Sequence, residues 1–272
     1  MNAPEPLAES APLAHAWAER HCDSCGWYHG AWQYLRLVGV ISGITAESAF
    51  FQSALRAIAR DGDRVLIAAS ADYGMLAQVI RAYRAAGVTP AVTVLDQCET
   101  PLLLNRWYAR RFELEPVLHR GDIFDYEPDA PFDVICTHSF FSFVAPGRHA
   151  ALVRGWRKLL RPGGRVVTSQ SVRADYPTDR IRFTPEQAAE FGARAERAAN
   201  GIDAPIREIA TRFAERKTGY VVRSEQHLRA AFSDGGFQCE QFGPADTDCA
   251  RQHRAANPDD RQSWRRIQIV AR

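Results

Sequence analysis

The sequence predicts an α/β fold in which a mainly parallel sheet is covered by helices on both faces. Short apolar runs alternate with amphipathic segments along most of the 272 residues, and this alternation is typical of βαβ units. The composition is 46% hydrophobic and 24% charged, which is ordinary for a globular chain and excludes a disordered or collagen-like one. A chain of this length favours one core with additions over two separate cores.

Strands and helices are predicted in strict alternation through the middle of the chain. The strands are short runs rich in β-branched residues, and the helices repeat apolar residues every three or four positions. The predicted order is strand 64–68, helix 74–86, strand 91–95, helix 101–112, strand 132–136, helix 148–160 and strand 165–169.

Residues 1–60 are predicted to form an N-terminal helical lid rich in aromatic side chains, ahead of a main domain over 61–272. The aromatic part runs from Trp17 to Gly43. Thr45 is then predicted to be the N-cap of a helix that has Phe51, Leu55 and Ile58 on one face. A turn at 61–63 should end that helix.

The C-terminal third departs from the alternating pattern. Thr184-Pro185-Glu186 is a strong helix start, and mostly helical sequence follows to about Lys217, so an insertion at about 180–220 is predicted. A helix at 224–233, a strand at 237–242 and a last strand at 267–271 follow, with a long polar loop between the two strands.

The net charge, the lack of a long apolar run and the sequence of the first ten residues argue against several classes of partner. The formal net charge is only +2, and arginines are interleaved with acidic residues, so no nucleic-acid surface is predicted. No run approaches the ~20 apolar residues that span a bilayer, and the first ten residues lack the apolar stretch of a signal peptide. We expect a cytoplasmic protein with reduced thiols, no membrane partner, and Cys98 and Cys136 in the core. The oligomeric state stays open, a homodimer included.

Three places that follow predicted strands carry chemistry, because ligands of open α/β sheets bind at the carboxyl ends of strands. Asp96 ends the second strand and can accept hydrogen bonds from ribose hydroxyls; a helix-capping role before Pro101 is an equal alternative. Asp122 lies in a loop where its carboxylate can take an adenine amine, with Ile123 and Phe124 packing on the base. The third is a helix that ends in a Leu-Arg-Pro-Gly-Gly turn over 160–164.

In this order and spacing, the three features resemble those of class I S-adenosylmethionine-dependent methyltransferases. The resemblance covers about 64–172 and implies a Rossmann-like, seven-stranded, mainly parallel sheet with an N-terminal helical lid and a helical insertion. It implies S-adenosylmethionine as cofactor and S-adenosylhomocysteine as product. The cofactor-binding residues that it implies are Ala68, Ala69, Ser70, Tyr73, Asp96, Gln97, Asp122, Ile123, Phe124, Thr137, His138 and Ser139.

The first loop departs from the family's pattern. The family has an acidic residue followed by several glycines, so that the backbone approaches the cofactor closely. Here residues 67–74 read Ile-Ala-Ala-Ser-Ala-Asp-Tyr-Gly, and alanine and serine do not favour positive φ. The departure keeps an alternative open, namely a protein that binds S-adenosylmethionine without methyl transfer, as a regulatory protein or a lyase- or cyclase-type enzyme.

A small-molecule substrate is predicted, with transfer to an O or N atom favoured over C or S. The resemblance carries this prediction, because residues 136–141 lack the (Asn/Asp)-Pro-Pro-aromatic segment with which nucleic-acid amino-methyltransferases grip a flipped base. Trp27, Tyr28 and Trp32 either wall a pocket for a cationic group or pack a helix onto the sheet.

Two histidines and a tyrosine are the candidate catalytic residues. His138 follows the fourth strand and His29 lies in the aromatic lid; each is a candidate general base, with cofactor contact and plain packing as the alternatives. Tyr28 is a candidate for orienting the acceptor.

A metal site at Cys22-x-x-Cys25 is considered and set aside. His21 and His29 are near in sequence, and Cys249 with His253 offers distant ligands. Nothing else in the sequence has the spacing of a zinc knuckle, so no metal is predicted.

Overall fold

The computed structural model describes residues 5–246 and 264–272 and contains a seven-stranded mixed sheet. The strand order is β3-β2-β1-β4-β5-β9-β8, with β1 to β5 parallel and β9 antiparallel to both neighbours. The strands are β1 (Arg64–Ala68), β2 (Ala91–Asp96), β3 (Val117–Arg120), β4 (Phe132–His138), β5 (Leu160–Arg173), β8 (Cys239–Pro244) and β9 (Trp264–Ala271). A separate two-stranded antiparallel sheet pairs β6 (Arg180–Ile181) with β7 (Gly219–Tyr220). The predicted fold class is confirmed.

Helices cover both faces of the sheet. They are α1 (Leu7–His21), α2 (Gly26–Leu37), α3 (Ser48–Ile58), α4 (Gly74–Ala85), α5 (Glu99–Ala109), α6 (His149–Leu159), α7 (Pro185–Ala198), α8 (Ile206–Arg216) and α9 (Glu225–Asp234). One core packs α3, α4 and α5 against the sheet, and a second packs α6 and α9 against it. Among the described helices, none has the length and apolar character needed to cross a bilayer.

A third core joins the N-terminal helices to the helices of the predicted insertion at about 180–220. Apolar residues of α2 pack with those of α7 and α8 around Leu35, Phe191 and Phe213. We call α1 and α2 the lid, and α7 and α8 the cap. The cap helix α7 starts with a complete capping box at Thr184, as the Thr-Pro-Glu sequence indicates.

The strand order places a topological switch point between β1 and β4. β1 pairs with β2 on one side and with β4 on the other, so that Ala68 lies beside Leu95 and Ile67 beside Cys136. The chain runs outward from here in both directions, and a crevice at the carboxyl ends of these strands is where open α/β sheets bind ligands.

Thr45 is not the N-cap of α3, contrary to the prediction. A 3-10 helix (Gly43–Glu47) precedes α3, and Glu47 occupies its N-cap. The Thr45 hydroxyl instead accepts a hydrogen bond from Arg36 and donates one to Glu5. Tertiary contacts with the lid therefore outweigh the local capping preference.

Two predicted strand boundaries also change. The 160–164 turn belongs to the first part of β5, which pairs with β4 through an irregular register opposite Phe132 and Val134; Gly163, at φ +79°, supplies the left-handed residue that this path needs. β8 begins two residues later than predicted, at Cys239. The long polar loop before β9 lies largely outside the described residues.

Candidate functional site

Backbone strain marks both strand ends at the switch point. Ala69, directly after β1, has φ +55°, and Ser139, directly after β4, has φ +60°. A left-handed conformation is costly for residues with a Cβ and concentrates at functional sites. The first loop therefore keeps a positive-φ residue although alanine stands where the resemblance expects glycine.

Asp96 lies at the end of β2 and faces that loop. Its two carboxylate oxygens accept hydrogen bonds from the backbone N–H groups of Ser70 (3.1 Å) and Cys98 (2.8 Å). Burial raises the pKa of Asp96 to about 6, although the charge of His29 and the two backbone hydrogen bonds lower it. Each oxygen has a second lone pair, so the carboxylate retains the capacity to accept from two adjacent hydroxyls.

The second acidic candidate is joined to the first. Asp122 accepts a hydrogen bond from the Gln97 side chain (2.9 Å) and another from the backbone N–H of Phe124 (2.9 Å). Ile123 is buried, and the Phe124 ring lies 3.8 Å from the Arg148 guanidinium carbon. The structure thus brings Gln97, Asp122, Ile123 and Phe124 into one rim beside Asp96.

Asp72 fixes the lid to the first loop. Its buried carboxylate accepts hydrogen bonds from Trp32, Gln33 and Arg36, all on α2. Its other oxygen accepts from the backbone N–H of Gly74 (2.6 Å). This role of Asp72 could not be predicted from the local sequence, because its partners lie 36 to 40 residues away.

Three residues predicted to bind cofactor have other partners. Tyr73 is fully buried, stacks on Tyr108 and hydrogen-bonds Ser10, so its side chain belongs to the helical layer. Thr137 is buried and hydrogen-bonds Thr168 of β5 (2.8 Å). Ala68 is buried within β1. The side chains of these three residues are therefore buried among other parts of the fold.

His138 is part of a buried charged cluster at the carboxyl ends of β4 and β5. Its Nε2 lies 2.8 Å from Oε2 of Glu47, and the same oxygen accepts hydrogen bonds from Ser169 (2.9 Å) and Arg266 (2.6 Å). The Glu47 and Arg266 side chains are almost fully buried. Arg266 also donates to the Ser139 hydroxyl (2.8 Å).

Glu47 and Arg266 were not predicted to be site residues. Glu47 lies in the short helix before α3, and Arg266 lies on β9, 219 residues further along the chain. Arg266 follows another arginine and comes directly before the predicted strand 267–271, so its burial and its need for an acidic partner could not be predicted from that position.

The aromatic side chains of the lid pack on the cap. Tyr28 stacks between Trp32 (ring centroids 5.2 Å apart) and Phe213 of α8 (5.7 Å), and Trp27 also contacts Phe213. These rings fill the space between them, so the packing alternative describes them better than an open cage does. Burial raises the pKa of Tyr28, and the charges of Asp72 and Asp96 add to the effect. Tyr28 therefore lies within electrostatic reach of both acids.

His29 is directed into a group of cysteines. Its Nδ1 lies 3.5 Å from the Cys22 sulfur, and the Cys98 sulfur lies 3.2 Å from Cys22 and 3.5 Å from Cys25. A hydrogen bond from Cys22 lowers the pKa of Cys98 to about 3 against the opposing effect of burial. Burial lowers the pKa of His29, but hydrogen bonds to Cys25 and Cys98 outweigh it and raise the value to about 9. Cys136 is a core residue as predicted, whereas Cys98 is buried beside other thiols.

Comparisons with known proteins identify the fold. No protein-family model matches the chain, and no curated protein matches it. A putative sarcosine dimethylglycine methyltransferase from Galdieria sulphuraria superposes with TM-score 0.55 at 12% identity, covering 84% of each chain. Geranyl diphosphate C-methyltransferase from Streptomyces coelicolor A3(2), solved with S-adenosyl-L-homocysteine, gives TM-score 0.53 at 13% identity and covers 84% of this chain and 75% of that one. The chain has the class I S-adenosylmethionine-dependent methyltransferase fold.

One solved structure with this fold is named for another reaction. The [4+2]-cyclase SpnF gives TM-score 0.54 at 13% identity and covers 82% of this chain and 79% of that chain. The similarity therefore establishes the fold, while the reaction has to be argued from the site.

The residues present fit the cofactor of the methyltransferase fold. Asp96 presents a carboxylate where two hydroxyls of a ribose are expected, and the loop beside it turns away sharply at Ala69. Gln97, Asp122, Ile123 and Phe124 offer polar and apolar atoms together on the adjoining rim. Two surface cavities of about 840 and 530 Å³ lie elsewhere, on the cap and before α7, and neither includes these residues.

Proposed function

We propose that this protein is an S-adenosylmethionine-dependent methyltransferase that transfers a methyl group to an O or N atom of a small molecule. The observation that carries the proposal is the hydrogen bond between His138 and the buried Glu47 at the end of β4. His138 ends β4, which pairs with β1 on the side opposite β2 and Asp96. Asp96 would hold the ribose of the cofactor, and His138 would act on the acceptor.

His138 supplies the base that a protonated nucleophile requires. Bound S-adenosylmethionine supplies an electrophilic methyl group, and the protein has to hold the acceptor atom about 3 Å from it. His138 takes the proton of a hydroxyl or ammonium acceptor, while its Nε2 lies within hydrogen-bond distance of Glu47. The Glu47 carboxylate orients the ring and stabilises the imidazolium that forms.

The lid and the cap support a small substrate. Asp72 ties α2 to the first loop, and the Tyr28–Phe213 stack ties α2 to α8. Helices therefore cover the carboxyl edge of the sheet, and a substrate has to fit beneath them. This arrangement favours a small molecule and disfavours a duplex nucleic acid.

The test is the formation of S-adenosylhomocysteine with a panel of small phenols and amines. His138→Ala should lower the rate by about a hundredfold with the best acceptor, with little change in affinity for S-adenosylmethionine. His119→Ala is the matched control, since His119 is exposed on β3. Wild-type turnover in the His138 variant would overturn the base assignment.

A second candidate is a protein that binds the cofactor without transferring its methyl group. Alanine at the positive-φ position 69 and the fold likeness to a cyclase favour it. Product analysis separates the two candidates, because unchanged S-adenosylmethionine after conversion of a substrate marks the second, and S-adenosylhomocysteine marks the first.

A further inference from the structure

Four soft ligand atoms meet where the lid joins the sheet. Cys22, Cys25, His29 and Cys98 each direct one sulfur or nitrogen atom to a common point, and these atoms all lie within 4.8 Å of one another. Zn²⁺ binds sulfur at about 2.3 Å and imidazole nitrogen at about 2.0–2.1 Å in a tetrahedron. That geometry sets the sulfur–sulfur and sulfur–nitrogen separations at about 3.5–3.8 Å.

Three of the separations lie close to those of such a tetrahedron. The Cys98 sulfur lies 3.2 Å from that of Cys22 and 3.5 Å from that of Cys25, and His29 Nδ1 lies 3.5 Å from the Cys22 sulfur. We propose that Cys22, Cys25, His29 and Cys98 form a structural zinc site. The proposal is independent of the proposed methyl transfer, since it rests on these four side chains alone.

Local structure explains how the chain assembles these ligands. Cys22 and Cys25 bracket the turn between α1 and α2, and Cys25 is the N-cap of α2. His29 follows one helical turn later, so that it shares the face of Cys25. Cys98 is the N-cap of α5, in the loop after β2. Two helix N-termini thus meet at the cluster, and their dipoles favour thiolates there.

Zinc accounts for the whole cluster, which a disulfide does not. A disulfide joins only two sulfurs, yet Cys98 is almost equally close to Cys22 and Cys25, and a histidine nitrogen completes the group. Three thiolates and one imidazole are a common structural zinc set, and four protein ligands leave no open position for catalysis.

The metal site would fix the lid to the loop that follows β2, beside Asp96. Cys98 follows Asp96 by two residues and donates its backbone N–H to that carboxylate. A metal that holds Cys98 together with Cys22, Cys25 and His29 therefore anchors the turn between α1 and α2 beside Asp96. Because the metal would bind the folded protein and not the unfolded chain, it would also stabilise the folded state.

The first test is the zinc content of the full-length protein purified without chelators. Elemental analysis should give about one zinc per chain, and Cys25→Ser and Cys98→Ser should each reduce it by tenfold or more. Cys239→Ser is the matched control, because Cys239 is a half-buried free cysteine on β8, and it should keep its zinc. A wild-type chain that remains without zinc after incubation with Zn²⁺ and desalting would overturn the proposal.

A second measurement tests the metal site if the serine variants fail to fold. Wild-type protein loaded with Co²⁺ should show the intense visible bands of a tetrahedral ion and thiolate-to-metal charge transfer. Weak bands without charge transfer would contradict the ligand set. Thiol titration of the chain unfolded without reductant should detect all six cysteines, whereas a deficit of two would reveal a disulfide in place of the metal.

Discussion

Ala69 holds the first loop in a conformation that alanine seldom adopts. At φ +55° the strain is about 1–2 kcal/mol, and glycine relieves it while adding about 0.5–1 kcal/mol of unfolded-state entropy. Ala69→Gly should therefore raise the free energy of unfolding by about 0.5–1 kcal/mol, measured by urea denaturation.

The neighbouring Ala71 provides the control for this prediction. Its φ is not positive, so Ala71→Gly should lower the free energy of unfolding by about 0.4–1 kcal/mol. If both substitutions shift the midpoint downward, the positive φ at Ala69 carries no strain and the loop path described above is wrong.

The positions of single residues at strand ends could be predicted from the sequence. Asp96 and Asp122 were expected at the edge where parallel strands present their carboxyl ends, and each lies there with a partner. The side-chain partners of Tyr73 and Thr137 could not be predicted, since position after a strand does not fix the direction of a side chain. The cysteine neighbours of His29 could not be predicted either, because Cys98 is distant in sequence.

At the scale of elements, α2 depends on one buried arginine. Arg36 donates to Asp72 on the first loop and to Glu5 before α1, and all three side chains are almost fully buried. Removal of one partner of a buried ion pair leaves the others uncompensated and costs about 3–5 kcal/mol. Arg36→Met should lower the free energy of unfolding by that amount in urea denaturation.

An exposed pair tests whether burial is the cause. Arg120 bridges to Asp23 in the turn between α1 and α2, with both side chains more than half exposed. Arg120→Met should cost less than about 1 kcal/mol. Equal losses in the two variants would contradict the claim that burial makes the Arg36 cluster decisive.

The contact between α6 and α9 should make the protein sensitive to acid. His149 Nδ1 lies 2.8 Å from His227 Nε2, and His149 Nε2 faces the carbonyls of Phe141 and Val144. Burial lowers the pKa of His149 below its ordinary 6.5. Below pH 6.5 the unfolded chain therefore binds more protons than the folded chain at this site, and stability falls with pH.

Thermal unfolding between pH 7.5 and 5 measures this effect. The stabilising contribution is complete above pH 6.5 and is lost as pH falls through 6.5 toward the lower pKa of the folded state. His149→Gln should show a shallower loss than wild type, and His119→Gln, at an exposed position, should match wild type. An unchanged slope in the His149 variant would refute the assignment.

The bounds of helices with strong apolar periodicity were predicted closely. A strand with a weak apolar pattern was not predicted. α4 and α6 begin and end within one residue of the prediction. β3 (Val117–Arg120) was not predicted, because it is a four-residue edge strand with two charged or titratable side chains. Edge strands lack the apolar run that marks a buried parallel strand.

At the scale of the whole molecule, contacts distant in sequence assemble the site. Glu47 and Arg266 are 219 residues apart, and Cys22 and Cys98 are 76 residues apart. No local pattern encodes such pairs, so the charged cluster at β4 and the cysteine cluster emerge only from the fold. The lid contacts both the first loop and the cap.

Calorimetric titration with S-adenosylhomocysteine tests the central claim, that the carboxyl edge of β1, β2 and β4 binds this cofactor through Asp96. Wild type should bind, and Asp96→Ala should bind roughly tenfold to a hundredfold more weakly, because a charge-assisted contact of about 1.5–3 kcal/mol is lost. Asp129→Ala, at an exposed loop position, should bind as wild type does. Equal affinity in the Asp96 variant would contradict the ribose assignment, and no binding by wild type would contradict the claim itself.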